Sequence, residues 1–200
     1  MARVRFDGWI AGVGTAGGTR LVLGHWPRSP FGPVSDVMAE RPDGTRVLLA
    51  PTRAVADFIA DTYTFDEVRV VPVDVSRDGP QWSVRAGPLR LAFRAGRRGA
   101  LGLLLRAVPP FLAGRPWWVG AVDLPARLLL RGVRTRGSAG NGRREWYGAR
   151  DLRRIDAATA SWEGRALGSL TGIDPPVRFG FGSTPAFAAL VRVTTTVEVP

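Results

Sequence analysis

Glu145 and Tyr147 flank Trp146 in a run of strand-like residues. On a strand, alternate side chains share a face, so the carboxyl and the phenol point one way and the indole the other. A carboxyl beside a phenol is a pairing suited to proton transfer, and Tyr147 could donate a proton or a hydrogen bond to a substrate. Shortly before them, Arg134 and Arg136 also share a face. Two guanidinium forks on an inward face would hold a carboxylate or phosphate bidentately. The other reading of this segment is a solvated basic hairpin with Trp146 in the core.

The chain's one histidine, His25, stands in a stiff stretch, His25-Trp26-Pro27-Arg28-Ser29-Pro30. As a pocket residue it would serve acid–base work, with Trp26 and Arg28 as ligand contacts. As a strand-end residue it would simply pack. A lone histidine excludes a His-rich metal site, and any Ser-His-Asp triad would have to use His25 itself. Asp36 and Glu40 fall at i and i+4 of the next strand, on one face. Inside a barrel they could do acid–base chemistry or bind a cation; on a wet face they are ordinary surface charges.

Other chemistries have no carrier. The chain has no cysteine, so it has neither a thiol nucleophile nor a disulfide. It carries no P-loop, nucleophile elbow or dinucleotide fingerprint. Neither a metal nor a cofactor is implied.

The net charge is +11, with 28 basic residues against 17 acidic ones, and every basic residue is arginine. GC-rich codon usage accounts for arginine in place of lysine. It does not account for the excess, which predicts attraction to something anionic: a substrate, nucleic acid or a lipid surface.

The elements that must position these residues are mostly strands. Val4 to Thr15 and Thr19 to Trp26 form a hairpin about Ala16-Gly17-Gly18. Val34 to Arg41 and Thr45 to Ala50 flank the turn Pro42-Asp43-Gly44. Thr52 is a helix N-cap, followed by Val55, Phe58, Ile59 and Thr62 at helical spacing. Glu67 to Arg77, Gln81 to Ala86 and Leu89 to Ala95 are strands. Leu101 to Leu105 and Val108 to Leu112 are apolar but interrupted by Arg106 and Pro109-Pro110, followed by Trp117 and Trp118. Asp123 to Leu130 is a short helix capped by Asp123. Gly132 to Ser138, Glu145 to Arg150, Ala157 to Glu163, Val177 to Phe181 and Leu190 to Val199 complete a set of about ten strands.

This pattern predicts a mainly β (α+β) fold: a closed or partly closed antiparallel barrel or curved sheet with one to three short helices. Residues 1–200 form a single domain on this reading. No apolar stretch reaches the about 18 residues of a membrane span. The first ten residues contain no signal-peptide core, so a cytoplasmic location is expected.

At Ser29-Pro30-Phe31-Gly32-Pro33-Val34-Ser35-Asp36-Val37 the chain resembles the strand-entry motif of acetoacetate-decarboxylase-like proteins. There, a Gly-Pro-aromatic-x-Glu pattern leads a strand into a closed β-barrel pocket. The strand order, the helix after Ala50 and Arg144-Glu145-Trp146-Tyr147-Gly148 are compatible with that family. The resemblance implies a barrel that binds a small acid. It departs from the pattern at Asp36, where the family has Glu, and at Val34, where it has an aromatic residue. Family decarboxylases also form a Schiff base through a lysine, and this chain has none. Arginine cannot replace it, because its guanidinium stays protonated. The chain as a whole also resembles proteins of high-GC actinobacteria, which implies no chemistry.

Two functions follow as expectations. One is a domain that binds a small anionic or oxygenated organic ligand in an Arg-bearing barrel pocket. Asp36, Glu145, Tyr147 and His25 would be its acid–base groups, and Arg134, Arg136, Arg28, Trp26 and Trp146 its ligand contacts; lyase, isomerase or hydrolase chemistry is the enzymatic form. The other is a non-catalytic basic protein that binds nucleic acid or an anionic surface. A third role, association through the apolar stretch around Trp117 and Trp118, would need an exposed patch there.

Overall fold

The computed structural model of the chain describes residues 2–109, 136–138, 142–179 and 185–199. The expected helix at Asp123 to Leu130, the pair Trp117 and Trp118, and Arg134 lie outside these residues.

The N-terminal hairpin joins β1 (Ala2–Thr15) to β2 (Arg20–Arg28), and β3 (Val34–Glu40) and β4 (Arg46–Ala50) continue it. Helix α1 (Arg53–Ala60) begins at Thr52, whose hydroxyl accepts a hydrogen bond from the Val55 amide at 3.3 Å. It carries the chain over to β5 (Glu67–Val70), which pairs parallel to β4. Parallel neighbours need such a crossover, and the helix supplies it. A meander follows: β6 (Val73–Asp78), β7 (Gln81–Ala86) and β8 (Leu89–Ala95). After α2 (Ala100–Ala107) come β9 (Arg136–Ser138), the long β10 (Arg144–Trp162), the short β11 (Arg165–Ala166) and β12 (Leu170–Thr171), and β13 (Ala189–Val199).

The described residues form a thirteen-stranded sheet: ten strands run in the order β5-β4-β3-β2-β1-β13-β10-β8-β7-β6, with β9 and β11 paired to β10 and β12 to β1. The two ends of that order, β5 and β6, are consecutive in the chain and separated only by Val71-Pro72. The sheet therefore curls until its first and last strands are joined by two residues, without hydrogen-bonding to each other. The fold is mainly β, a curved and partly closed sheet, as the strand pattern predicts.

Two local readings change, and one stretch left without an element is assigned. Glu67 to Arg77 is two strands at opposite sheet edges, because Pro72 has no N–H to continue a ladder. Leu101 to Leu105 is helical, inside α2. The expected strands Glu145 to Arg150 and Ala157 to Glu163 are one continuous β10. Its first part pairs with β13 and its second with β8, with register shifts at Ala149/Asp151 and Ile155/Ala157. Such bulges bend a strand, and they let β10 pass from one half of the curled sheet to the other. The charged stretch between the halves resembles a turn in sequence, yet it is satisfied as strand: Asp151 pairs with Arg98 and Asp156 with Arg94.

Both faces of the N-terminal half are apolar, for different reasons. The concave face closes on the β7–β8 hairpin, where Leu21, Leu23, Val37, Trp82, Leu89 and Phe93 pack in one core. The convex face carries Phe6, Trp26, Val193 and Val197 and is covered by α1. A sheet with one wet face would show clean alternation, as β7 and β8 do; here successive residues of β3 are buried on opposite sides.

Candidate functional site

The convex face under α1 holds a small cavity of about 80 Å³. Its walls are mostly aromatic. The rings of Phe6 and Trp26 meet edge to face at 5.6 Å, and Phe58 of α1 packs on both Phe6 and Phe31 at 5.4 Å. Into this apolar space come two carboxyl groups, Asp36 and Glu145, and two phenols, Tyr63 and Tyr147.

Glu145 is 2% exposed. The Tyr63 hydroxyl lies 2.9 Å from both of its carboxylate oxygens and donates to them. The Tyr147 hydroxyl lies 2.6 Å from that of Tyr63 and donates more weakly to Glu145 Oε2 at 3.4 Å. Burial raises the Glu145 pKa from 4.5 to about 7, against the opposing effect of the Tyr63 and Tyr147 hydrogen bonds and the charge of Arg143. The Tyr63 phenol is pushed well above its ordinary value, first by burial and then by the neighbouring Glu145 charge. With Glu145 ionised, the hydroxyls donate toward the carboxylate. With it protonated, the carboxyl donates to Tyr63 and the hydroxyl dipoles can reverse.

Asp36 is the second buried acid, at 3% exposure. Burial raises its pKa from 3.8 to about 7, although the Trp26 indole donates to its Oδ1 at 3.1 Å and works the other way. Gly24, on the neighbouring strand, makes room for this pair: a Cβ there would lie 2.6 Å from both Asp36 Oδ1 and the Trp26 indole nitrogen. Thr195 adds a hydroxyl to the lining, buried and without a hydrogen-bond partner among the described residues. It sits across the ladder from Tyr147.

Two clamps set the cavity's walls. Arg143 spans from the start of β10 to the end of α1, donating to the Phe58 carbonyl at 2.8 Å and the Thr62 hydroxyl at 2.7 Å. A cation at a helix C-terminus also suits the helix dipole. On the other side, Glu40 shares a face with Asp36 as the spacing predicts, but its role is different. Its fully buried carboxylate holds Arg20 at 2.9 Å and Arg178 at 2.8 Å. This pins the irregular segment carrying Val177 and Phe179 over the cavity. The expected strand at Val177 to Phe181 is not formed at 177–179.

The cavity thus brings together Asp36, Glu145, Tyr147 and Trp26. It does not include His25, Arg28 or Trp146. His25 points to the concave face, where its Nδ1 lies 2.9 Å from the Ser35 hydroxyl and its ring stacks on Trp9 at 5.8 Å. Its pKa is lowered by burial and then by Arg192 and Arg77. Arg28 is exposed and reaches Asp7 at 3.3 Å. Trp146 faces away from Glu145 and lies under the Arg3 guanidinium at 5.6 Å. Arg136 is on β9, and Arg134 is outside the described residues. Tyr63 is the residue that sequence reasoning misses. The chain has only two tyrosines, and they meet here; that scarcity was the available signal.

No protein-family model matches the chain, and no curated protein sequence matches it. Among solved structures, it is similar to the crystal structure of acetoacetate decarboxylase from Legionella pneumophila, with a TM-score of 0.45 and 9% identity over 98% of this chain and 84% of that one. This is a distant likeness in the course of the chain, and it transfers no role to any residue.

Proposed function

We propose that this protein binds a small oxygenated organic molecule in the cavity under α1 and moves a proton to or from it through Glu145. The observation that carries the reading is the Tyr63–Glu145–Tyr147 cluster: an acid held by two phenols in an aromatic cavity. Desolvation sets Glu145 near neutral pH, where a general acid or base works best. The hydroxyls of Tyr147 and Thr195 offer hydrogen bonds to a ligand oxygen.

In the reaction this favours, a proton leaves a carbon next to the ligand's carbonyl and is held on Glu145, while the electron pair moves onto the carbonyl oxygen. Return to the same carbon restores the ligand, and return to another isomerises it. Without a lysine, no imine with a side-chain amine is involved. The cavity favours a neutral ligand, because among the described residues its charged groups are carboxyls and none of those lining it is an arginine.

The test is proton exchange. A panel of small ketones, aldehydes and esters is incubated with the protein in D2O, and loss of the α-proton signals is followed by NMR. Exchange that is present in the wild type and lost in Glu145→Gln supports the reading. Exchange no faster than in buffer across the panel, or equal in the variant, overturns the catalytic part of it.

The alternative of a basic protein for nucleic acid or an anionic surface rests on the net charge. Several of the arginines are held in local ion pairs, Arg3, Arg20, Arg46, Arg69 and Arg94 each with a carboxylate, which leaves the excess of +11 itself unassigned.

A further inference from the structure

A second concavity lies at the open end of the curled sheet's concave face, between the β6–β7 turn, α2 and the middle of β10. Its volume is about 400 Å³, and among the described residues it is lined by six arginines and one aspartate, Asp151. The arginines come from four elements and a loop: Arg77 from β6, Arg106 from α2, Arg150 and Arg153 from β10, Arg192 from β13, and Arg98 from the residues just before α2. Spread over the sequence, they form no basic run, which is why the sequence does not reveal them as a group.

Their acidic partners are too few. Asp151 is shared by Arg98 at 2.9 Å and Arg153 at 3.7 Å. Asp7, just behind the cleft, is shared by Arg28 at 3.3 Å, Arg150 at 3.5 Å and Arg192. Two carboxylates among the described residues therefore serve four of the six lining arginines, and Arg28 as well. Arg77 has no carboxylate within ion-pair distance among the described residues; it donates to the Gly79 carbonyl and lies over the rings of Trp9 and Trp82. Arg192 lies 4.2 Å from the Trp9 ring centre.

Arg192 Nη1 and the Trp82 indole nitrogen are buried donors with no acceptor among the described residues, and Asp7 Oδ1, though in ion-pair contact with Arg192, is a buried acceptor with no hydrogen-bond donor among them. Buried donors without acceptors are costly, and half-buried like charges repel one another more strongly than exposed ones. Burial and the neighbouring Arg150 and Arg28 lower the pKa of Arg192, against the opposing pull of Asp7. A concave, positively charged site with low-dielectric walls focuses the field on whatever anion enters it.

We propose that this cleft is a binding site for a compact organic polyanion, one carrying two or more phosphate or carboxylate groups, separate from the cavity under α1. Guanidinium forks from several elements would each take an oxyanion group, and Trp9 and Trp82 would form an apolar floor for the ligand's body. Arginines converging from separate elements around one concavity favour a compact ligand over a polymer running across the surface.

Calorimetric titration of the full chain at fixed ionic strength tests this, with inorganic tripolyphosphate, citrate, acetate and a single-stranded oligonucleotide as probes. Tripolyphosphate or citrate should bind with a stoichiometry of one, whichever binds more tightly naming the phosphate or carboxylate class, and acetate should bind far more weakly. The double variant Arg77→Gln with Arg106→Gln should weaken that binding by about tenfold or more. A control with the same charge change outside the cleft, Arg85→Gln with Arg165→Gln, should leave it within about twofold. Thermal unfolding of both variants confirms that they are folded, and Glu145→Gln should bind the polyanion like the wild type. Absence of binding by both polyanions, or equal loss in the two double variants, overturns the proposal. Tighter binding of the oligonucleotide that survives the cleft variant also overturns it and assigns the charge to nucleic acid.

Discussion

The Tyr63 hydroxyl, at the end of α1, sits 2.9 Å from both carboxylate oxygens of Glu145 on β10, 82 residues away in the chain. That contact ties the helix to the sheet and places a titratable acid inside an aromatic cavity. Tyr63→Phe removes a donor that favours the ionised carboxyl. The Glu145 pKa should then rise above about 7, and folding stability at neutral pH should fall by about 1–3 kcal/mol. Carboxyl titration by NMR reads the first effect and urea unfolding the second. Tyr147→Phe should act in the same direction and more weakly, because its bond to Glu145 is longer, at 3.4 Å.

Stability should depend on pH in a direction unusual for carboxyls. Asp36 and Glu145 have folded pKa values of about 7, above the 3.8 and 4.5 of exposed groups. The folded state therefore holds protons that the unfolded state releases. The resulting stabilisation is fully present below those ordinary values and is lost as pH rises through about 7. Each group should contribute on the order of 3 kcal/mol to the difference between pH 4 and pH 8. Asp36→Asn and Glu145→Gln mimic the protonated forms, so each should flatten the profile and be relatively more stable at pH 8. His25, with its lowered pKa, acts oppositely, losing stability as pH falls below its ordinary 6.5. Comparing each variant with the wild type isolates the carboxyls. A profile unchanged by both substitutions would contradict the assignment.

Gly24 should tolerate no side chain. In Gly24→Ala the added methyl meets Asp36 Oδ1 and the Trp26 indole nitrogen at 2.6 Å, so their hydrogen bond must break or the strands must part. A loss of about 1–3 kcal/mol is expected, with altered Trp26 fluorescence as a local readout. An unperturbed Trp26 signal would mean that the cavity is looser than described.

Glu40 should prove structural. Glu40→Gln leaves Arg20, with its side chain only 9% exposed, facing a neutral partner. Breaking a buried pair in this way costs about 3–5 kcal/mol. The segment at 177–179 should loosen, with faster exchange of the Arg178 amide, which is held at 2.8 Å by Glu40.

The sequence made the local hairpins legible. Alternation in β7 and β8, the turn at Ala16-Gly17-Gly18 and the Thr52 cap are properties of neighbouring residues, and the structure contains each. Asp36, Trp26, Glu145 and Tyr147 could be singled out because strand spacing gives the face a side chain points to. Which face is the cavity depends on how the sheet curls, and that depends on contacts between distant strands. His25 and Trp26 are adjacent, so they lie on opposite faces; the β2–β3 register sets His25 beside Ser35 and Trp26 on the face of Asp36, and only the curl of the sheet decides which of those faces holds the cavity. The arginine cleft was illegible for the same reason: its members come from four elements and a loop and converge only after β10 bends at its two bulges.

The central claim is that Glu145 is an acid poised near neutral pH inside the cavity. It is tested most directly by following the carbon-13 resonance of the Glu145 carboxyl from pH 4 to pH 9, assigned by its absence in Glu145→Gln. The account predicts a midpoint of about 7, moving upward in Tyr63→Phe. A midpoint near the ordinary 4.5 of a solvated glutamate would contradict it.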